Sequence, residues 1–278
     1  MRILILNFIL STAVDGRIIR RDSNSDTMIY AMARGFAHNG HSVTLAAAEE
    51  YKPLTDERHK DFEVIYFPSR YKRIAKPALL PWPKGLGHYL RQHADDFDMI
   101  LSVEAFSFPT IIAARNCRSK LLVWQEMAFM QHFMGGVPAK LWYRFIAPLF
   151  IRKAPVIAQS GKAREFISRY LHNVRETIIG HGSDGEIFYP SDTTDDYFVV
   201  ISMLVARKQI DRILEKFSRF LTNTKYKNFR LRIIGEGPEM NSLKQKADTL
   251  GISDKVSFEG FMSHSDIAGI SRRAKALL

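Results

Sequence analysis

Short, continuous apolar runs alternate with amphipathic stretches from one end of this sequence to the other, and that alternation restricts the folds open to it. Runs at residues 2–8, 42–48, 63–68, 99–104, 120–125, 156–160 and 177–180 form a first series. A second follows at residues 197–203, 230–235 and 256–259, and residues 276–278 begin another. Runs this short and this uniformly apolar suit strands covered on both faces of a parallel sheet. The stretches between them carry helical periodicity. Ile29, Met32, Ala33, Phe36 and Ala37 recur at i, i+3, i+4, i+7 and i+8, with Asp26 near the start and Gly40 past the end. Ile210, Ile213, Leu214, Phe217 and Leu221 repeat the stripe, and Ser263 with Asp266 fits a capping box that opens a further helix. The expected fold class is α/β, with parallel sheets flanked by helices.

The stretch YPSDTTDDY at residues 189–197 is polar, contains no aliphatic residue, and separates the longer series from the shorter one. It sets the expected boundary between a first domain at 1–190 and a second at 191–278. The second series stops inside what reads as a buried strand, which would leave a neighbouring ladder unpaired. The expectation is therefore an incomplete second domain on a chain cut short.

A chain of 278 residues is long enough for two cores. With 46% hydrophobic and 25% charged residues it does not read as disordered. No run approaches the roughly 20 apolar residues that a spanning helix needs. The apolar start is interrupted by Asn7 and runs into a charged stretch, so it reads as a first strand rather than a signal peptide. A lone cysteine, Cys117, allows no intrachain disulfide and fits a reducing compartment such as the cytoplasm. The histidines show no ligand spacing, and no metal is expected. Lys and Arg total 40 against 29 acids, a formal charge of +11, which points to an anionic partner.

Ligands of open α/β sheets bind beyond the C-terminal ends of the strands. Three loops there stand out. The first, residues 8–26, carries Asp15, Gly16, Arg17, the pair Arg20-Arg21, Ser23, Asn24 and Ser25 ahead of a helix N-terminus. It suits an anionic or hydroxyl-rich ligand, or is a plain solvated loop. The second is Gly235-Glu236-Gly237-Pro238, where glycines permit a tight turn and close backbone approach and Pro238 suits a first helical position. A complete dinucleotide fingerprint needs glycine at 240, which is Met240. The third holds Arg207 and Lys208 between a strand and a helix, a bidentate fork beside a point charge. That pair could hold a diphosphate or be an exposed basic pair without a ligand.

The order of these pieces is more specific than any one of them. Ser202-Met203-Leu204-Val205-Ala206-Arg207-Lys208-Gln209 is followed by Ile234-Gly235-Glu236-Gly237-Pro238-Glu239 and then Val256-Ser257-Phe258-Glu259-Gly260-Phe261. Gly40-His41-Ser42-Val43-Thr44 lies upstream, and Gly182-Ser183-Asp184 with Phe188 and Pro190 lies between. On these residues the sequence resembles the family-4 retaining glycosyltransferases, whose patterns GRL-x-x-x-KG, IVGDGPE and V-x-F-x-G-F it approximates.

The resemblance implies a GT-B fold of two Rossmann-like domains and a UDP- or GDP-linked nucleotide-sugar as co-substrate, without a metal. Lys208 would contact the donor diphosphate, with Arg207, Gly235 and Gly237 beside it, and Phe261 would line the base. The first domain would hold a glycan or lipid-linked acceptor near Asp15, Gly16, Ser23 and Asn24. Glu126 would join them on the acceptor side, and a histidine common in the family after the fifth strand is replaced within Trp124-Gln125-Glu126. The implied activity is hexosyl transfer in cell-surface polysaccharide or glycolipid synthesis, in the cytoplasm and peripheral at the inner membrane face. Departures accompany the match. The arginine and glycine of GRL fall on Met203 and Ser202, and the glycine pair of the first loop is missing. The family's two-glutamate segment would lie past Leu278, so the 278-residue chain is expected to be weakly active or inactive.

Two basic-aromatic stretches, residues 70–82 and 140–153, either dock on an anionic membrane surface or pack a core with solvated cations. Two other readings share the composition. An NAD(P)-binding oxidoreductase is disfavoured because neither glycine loop completes G-x-G-x-x-G. A non-enzymatic nucleic-acid-binding or scaffold protein is disfavoured because no RNA- or DNA-binding motif is present and the basic residues are spread. Nucleic acid is not an expected partner.

Overall fold

The computed structural model describes residues 1–13, 17–55, 61–130, 136–182, 185 and 187–278. The chain divides into two compact units, Met1–Gly182 and Ser183–Leu278.

The first unit begins with β1 (Arg2–Leu6), α1 (Met28–His38), β2 (Ser42–Ala48) and β3 (Glu63–Phe67). A short antiparallel hairpin follows, β4 (Ser69–Arg70) against β5 (Trp82–Pro83). Then come α2 (Leu86–His93), β6 (Met99–Val103), α3 (Phe108–Asn116) and β7 (Leu121–Gln125). A continuous helical run is built from α4 (Val137–Leu141), a π-helical turn (Trp142–Ile146) and α5 (Ala147–Ile151). It leads to β8 (Val156–Ala158), α6 (Gly161–Ser168) and β9 (Val174–Ile178). Seven strands pair in parallel in the order β3-β2-β1-β6-β7-β8-β9.

The apolar runs explain the centre of this sheet. Ile3, Leu4, Ile5 and Leu6 of β1 are each no more than 1% exposed, because helices cover both faces. Burying each such side chain stabilises the fold by about 1.5–3 kcal/mol. α1 presents Ile29, Tyr30 and Ala33 to that core and ends where Gly40 adopts φ +79. The last strand differs from its expected position, starting at Val174 rather than 177. β9 is an edge strand whose residues mostly face solvent, so it lacks the apolar run that marks the central strands.

The second unit contains β10 (Tyr197–Ile201), α7 (Ile210–Leu221), β11 (Arg230–Ile234), α8 (Met240–Thr249), β12 (Val256–Gly260), α9 (His264–Arg273) and β13 (Ala276–Leu277). Its parallel sheet runs β12-β11-β10-β13. Ile210, Leu214 and Phe217 of α7 pack on Leu231 and Ile233 of the sheet. The polar stretch 189–197 is tied to α9. Arg273 forks onto the Asp195 carboxylate at 2.9 and 2.8 Å, the Tyr197 hydroxyl donates to Ile270 O, and Arg272 lies 3.6 Å above the Tyr189 ring. Ser263 caps α9 as its sequence spacing predicts, its Oγ accepting from Asp266 N.

Gly269 sits exposed within α9, and a methyl group there meets nothing within 4 Å. Gly269→Ala will therefore stabilise the second unit by about 0.4–1 kcal/mol, chiefly by restricting the unfolded chain. Calorimetric unfolding that shows no gain, or a loss, would contradict the open packing assigned to this helix face.

Candidate functional site

In the first unit the strand order reverses direction between β1 and β6, the switch point beyond whose C-terminal strand ends open α/β sheets bind their ligands. Glu104 immediately follows β6. It holds φ +70, a left-handed conformation costly for a residue with a Cβ. The surroundings fix it there: its N–H donates to Trp124 O, and its own carbonyl accepts from Thr110 Oγ1 at 2.6 Å. Thr110 is in turn bonded to buried Ser102.

The Glu104 side chain is buried among donors. Its Oε1 accepts from Glu126 N at 2.9 Å and Met127 N at 2.7 Å, and its Oε2 accepts from Gln125 Nε2 at 2.8 Å. Gln125 is fully buried and its Oε1 accepts from Ala105 N. Burial pushes the Glu104 carboxyl up to about 8, against the pull of the backbone N–H groups and with help from the neighbouring Glu126 charge. Burial likewise pushes Glu126 up to about 6. The Glu126 Oε1 is buried with no hydrogen-bond partner among the described residues. Of the two carboxyls, both with raised affinity for protons, only Glu126 keeps an oxygen that no donor among the described residues occupies, and a group of this kind can exchange a proton with a hydroxyl-bearing ligand.

Glu126 was singled out by the sequence; Glu104 was not. The available clue is an acid that ends the buried run Ile-Leu-Ser-Val at the strand beside the crossover.

The rest of the first-loop prediction separates into parts. Asp15 and Gly16 lie outside the described residues. Ser23 is exposed, its Oγ accepting from Ser25 N. Asn24 is 3% exposed and serves the loop itself: its amide donates to Tyr51 O, and its carbonyl accepts from Thr27. Arg20 Nε donates to Lys52 O, fastening the same loop to the segment after β2. Ser183 and Asp184 of the hinge-like motif also lie outside the described residues.

The second unit gathers three loops at the C-terminal ends of β10, β11 and β12. Arg207 and Lys208 occupy a single 3-10 turn, Ala206–Lys208, both exposed. Neither forms an ion pair among the described residues. Gln209 closes the turn at φ +54, at the position where the GRL-x-x-x-KG pattern has glycine. Its left-handed conformation redirects the chain into α7 and fixes the turn that carries the two cations.

The glycines make close approaches, although to protein rather than to open space. A Cβ on Gly235 would lie 2.0 Å from Ser202 O, and one on Gly237 would lie 2.3 Å from Leu204 O. Backbone hydrogen bonds stitch the same seam: Leu204 N to Glu236 O, Glu239 N to Leu204 O, and Gly235 N to Gly260 O. The Gly235 amide is thus engaged within the protein. Pro238 is not at the first position of α8, which starts at Met240. Pro238 and Glu239 form a turn closed by Met240 N on Gly237 O, delaying the helix by two residues. Phe261, 64% exposed, follows β12 at the same end of the sheet.

Among the described residues no group of three or more His, Cys, Asp or Glu is placed to hold a metal ion. No helix among them is long and apolar enough to cross a membrane.

Residues 186–278 match the family described as glycosyl transferases group 1. The chain is 34% identical over 74 residues to an exopolysaccharide phosphotransferase of Streptomyces coelicolor, a match covering 27% of this chain and only 8% of that relative's length. Among solved structures it is similar to sucrose-phosphate synthase from Thermosynechococcus elongatus, with a TM-score of 0.63 and 14% identity over 99% of this chain and 74% of that one. It is also similar to Anabaena HepE in complex with UDP and glucose, with a TM-score of 0.60 and 12% identity over 100% of this chain and 73% of that one. At these identities the likeness establishes the fold, two Rossmann-like domains of GT-B type.

Proposed function

We propose, from the group 1 glycosyltransferase domain carried by residues 186–278, that the chain transfers a sugar from a nucleotide-sugar to a glycan or lipid-linked acceptor in cell-surface polysaccharide or glycolipid synthesis. The observation that carries this reading is the exposed pair Arg207–Lys208, held on a strained turn beside the glycine seam. A departing nucleoside diphosphate gains negative charge, and preorganised cations at that place stabilise it. Arg207 offers a planar fork in the absence of an arginine at Met203, and Lys208 a compact charge. Phe261 offers an exposed ring for the base.

In this reading the second unit holds a UDP- or GDP-linked donor and the first unit holds the acceptor. The unpartnered Glu126 Oε1, with its raised proton affinity, would receive an acceptor hydroxyl and its proton. Glu104 would position it through the two backbone N–H groups it grips. Lipid-linked acceptors would place the protein peripherally at the cytoplasmic face of a membrane.

Calorimetric titration of the folded chain with UDP, GDP and ADP tests the donor site. Saturable binding of UDP or GDP is expected, and Lys208→Ala should weaken it by about tenfold or more, the worth of one charge-assisted contact. No binding by the folded chain, or equal affinity in the variant, would refute the assignment. Preference for a nicotinamide cofactor would favour an oxidoreductase instead.

A further inference from the structure

The helical run 137–151 of the first unit has two apolar faces, and only one is used by the core. On the inner face Ala139, Trp142, Tyr143, Ala147 and Ile151 are no more than 8% exposed. Trp142 Nε1 donates to Ala105 O at 2.8 Å, and the Tyr143 ring packs against Phe106 and Phe166. On the outer face Val137, Leu141, Phe145 and Leu149 are 56%, 53%, 61% and 64% exposed. A four-residue repeat drifts by about 40° per step around an α-helix. The wider π-helical turn at Trp142–Ile146 advances less per residue, so the four side chains remain in one stripe. Isolated exposed apolar residues are ordinary, but a contiguous row along a helix marks an interaction surface.

Charge identifies what the row meets. Lys140, Arg144, Arg152 and Lys153 are exposed beside it, and no acidic residue occurs from 137 to 153. Two copies of the chain docked across a two-fold axis would set these cations against one another. An anionic bilayer complements both features, taking the apolar row at its acyl boundary and the cations at its headgroups.

The β4–β5 hairpin extends the surface. Tyr71, Ile74 and Leu79 are 60%, 78% and 47% exposed on it, among Arg70, Lys72, Arg73 and Lys76. A ladder of rings joins it to the helix: Tyr71 to Trp82 at 5.3 Å, Trp82 to Phe108 at 4.2 Å, and Phe108 to Trp142 at 5.1 Å.

We infer that the outer face of helix 137–151, assisted by the hairpin, is a docking surface for an anionic lipid bilayer. This deepens the peripheral-membrane part of the proposed function, and its test needs neither donor nor acceptor, so its failure leaves the donor-site titration to stand or fall separately.

The test is co-sedimentation of the full chain, at low ionic strength, with vesicles of phosphatidylglycerol and phosphatidylcholine in equal parts, and with vesicles of phosphatidylcholine alone. The chain should pellet with the anionic vesicles and much less with the neutral ones. Phe145→Ser with Leu149→Ser should lower the apparent affinity by more than about tenfold, since both side chains leave the acyl boundary. Lys140→Glu with Arg144→Glu should lower it similarly and flatten its salt dependence. All four positions are exposed, and unchanged circular dichroism verifies that each variant folds. A chain that stays in solution, pellets equally with neutral vesicles, or is indifferent to both double variants overturns the inference. So does a dimer that the serine variants abolish in a chain that ignores vesicles.

Discussion

Glu104→Ala will destabilise the first unit by about 2–4 kcal/mol, because it removes the acceptor from three part-buried N–H donors that now converge on one carboxyl. The deficit will depend on pH. Unfolded glutamate releases its proton near 4.5, whereas burial holds the Glu104 proton to about 8 and the Glu126 proton to about 6. The folded state therefore binds more protons than the unfolded chain from about pH 4.5 upward, and the stability they contribute is present at low pH and lost as pH rises through those values. Each pH unit of displacement corresponds to about 1.4 kcal/mol. The natural chain should be more stable near pH 5 than near pH 8, with a shallower slope in the variant. Glu104→Gly should recover about 1 kcal/mol of the loss, since it relieves the left-handed backbone. All three tryptophans, Trp82, Trp124 and Trp142, lie in the first unit, so urea unfolding followed by their fluorescence reports on it alone. An unchanged midpoint in Glu104→Ala, or stability that rises from pH 5 to 8, would defeat this account.

Gly237→Ala and Gly235→Ala form the second large effect. The new methyl group would stand 2.3 Å from Leu204 O in one case and 2.0 Å from Ser202 O in the other. Gly235 adds a φ of +132, where side chains are strained whatever the space. Because the obstacles are backbone atoms, the 202–209 loop must move, carrying Arg207 and Lys208 with it. Each substitution should cost about 3 kcal/mol or more in the second unit. Nucleoside diphosphate affinity should fall by about a hundredfold, more than removal of Lys208 alone. Retention of affinity within about threefold would show that the seam does not hold the cations in place.

The fold was largely legible because its central strands are buried on both faces and appear in the sequence as unbroken apolar runs. β2 occupies the expected span 42–48. Strands without such burial were harder to read. β9, at the sheet edge, places three consecutive polar residues, Arg175, Glu176 and Thr177, between Val174 and Ile178, and the two-residue strands of the β4–β5 hairpin are too short to leave a period. Arg207 and Lys208 could be singled out because their chemistry and their place in the order of motifs are local properties. Glu104 could not, since its character comes from N–H groups delivered by β7 and the turn after it. The glycines at 235 and 237 announce a close approach, but only the packed structure says that the approaching group is the 202–204 backbone. The basic-aromatic stretch 140–153 packs the core through one side, as one of its two sequence readings expects, and carries an exposed apolar row on the other.

The seam between residues 202–204, 235–239 and 260 has a consequence for how such a site can change over time. Its contacts run from main chain to main chain, so the frame is indifferent to most of the side chains it displays. Met203, Glu236 and Phe261 can be exchanged for residues of other size and charge without shifting the frame, provided the glycines stay. A rim of this kind can be retuned from one donor to another by single substitutions, and a library varied at these three positions should keep its fold while its ligand preference diverges.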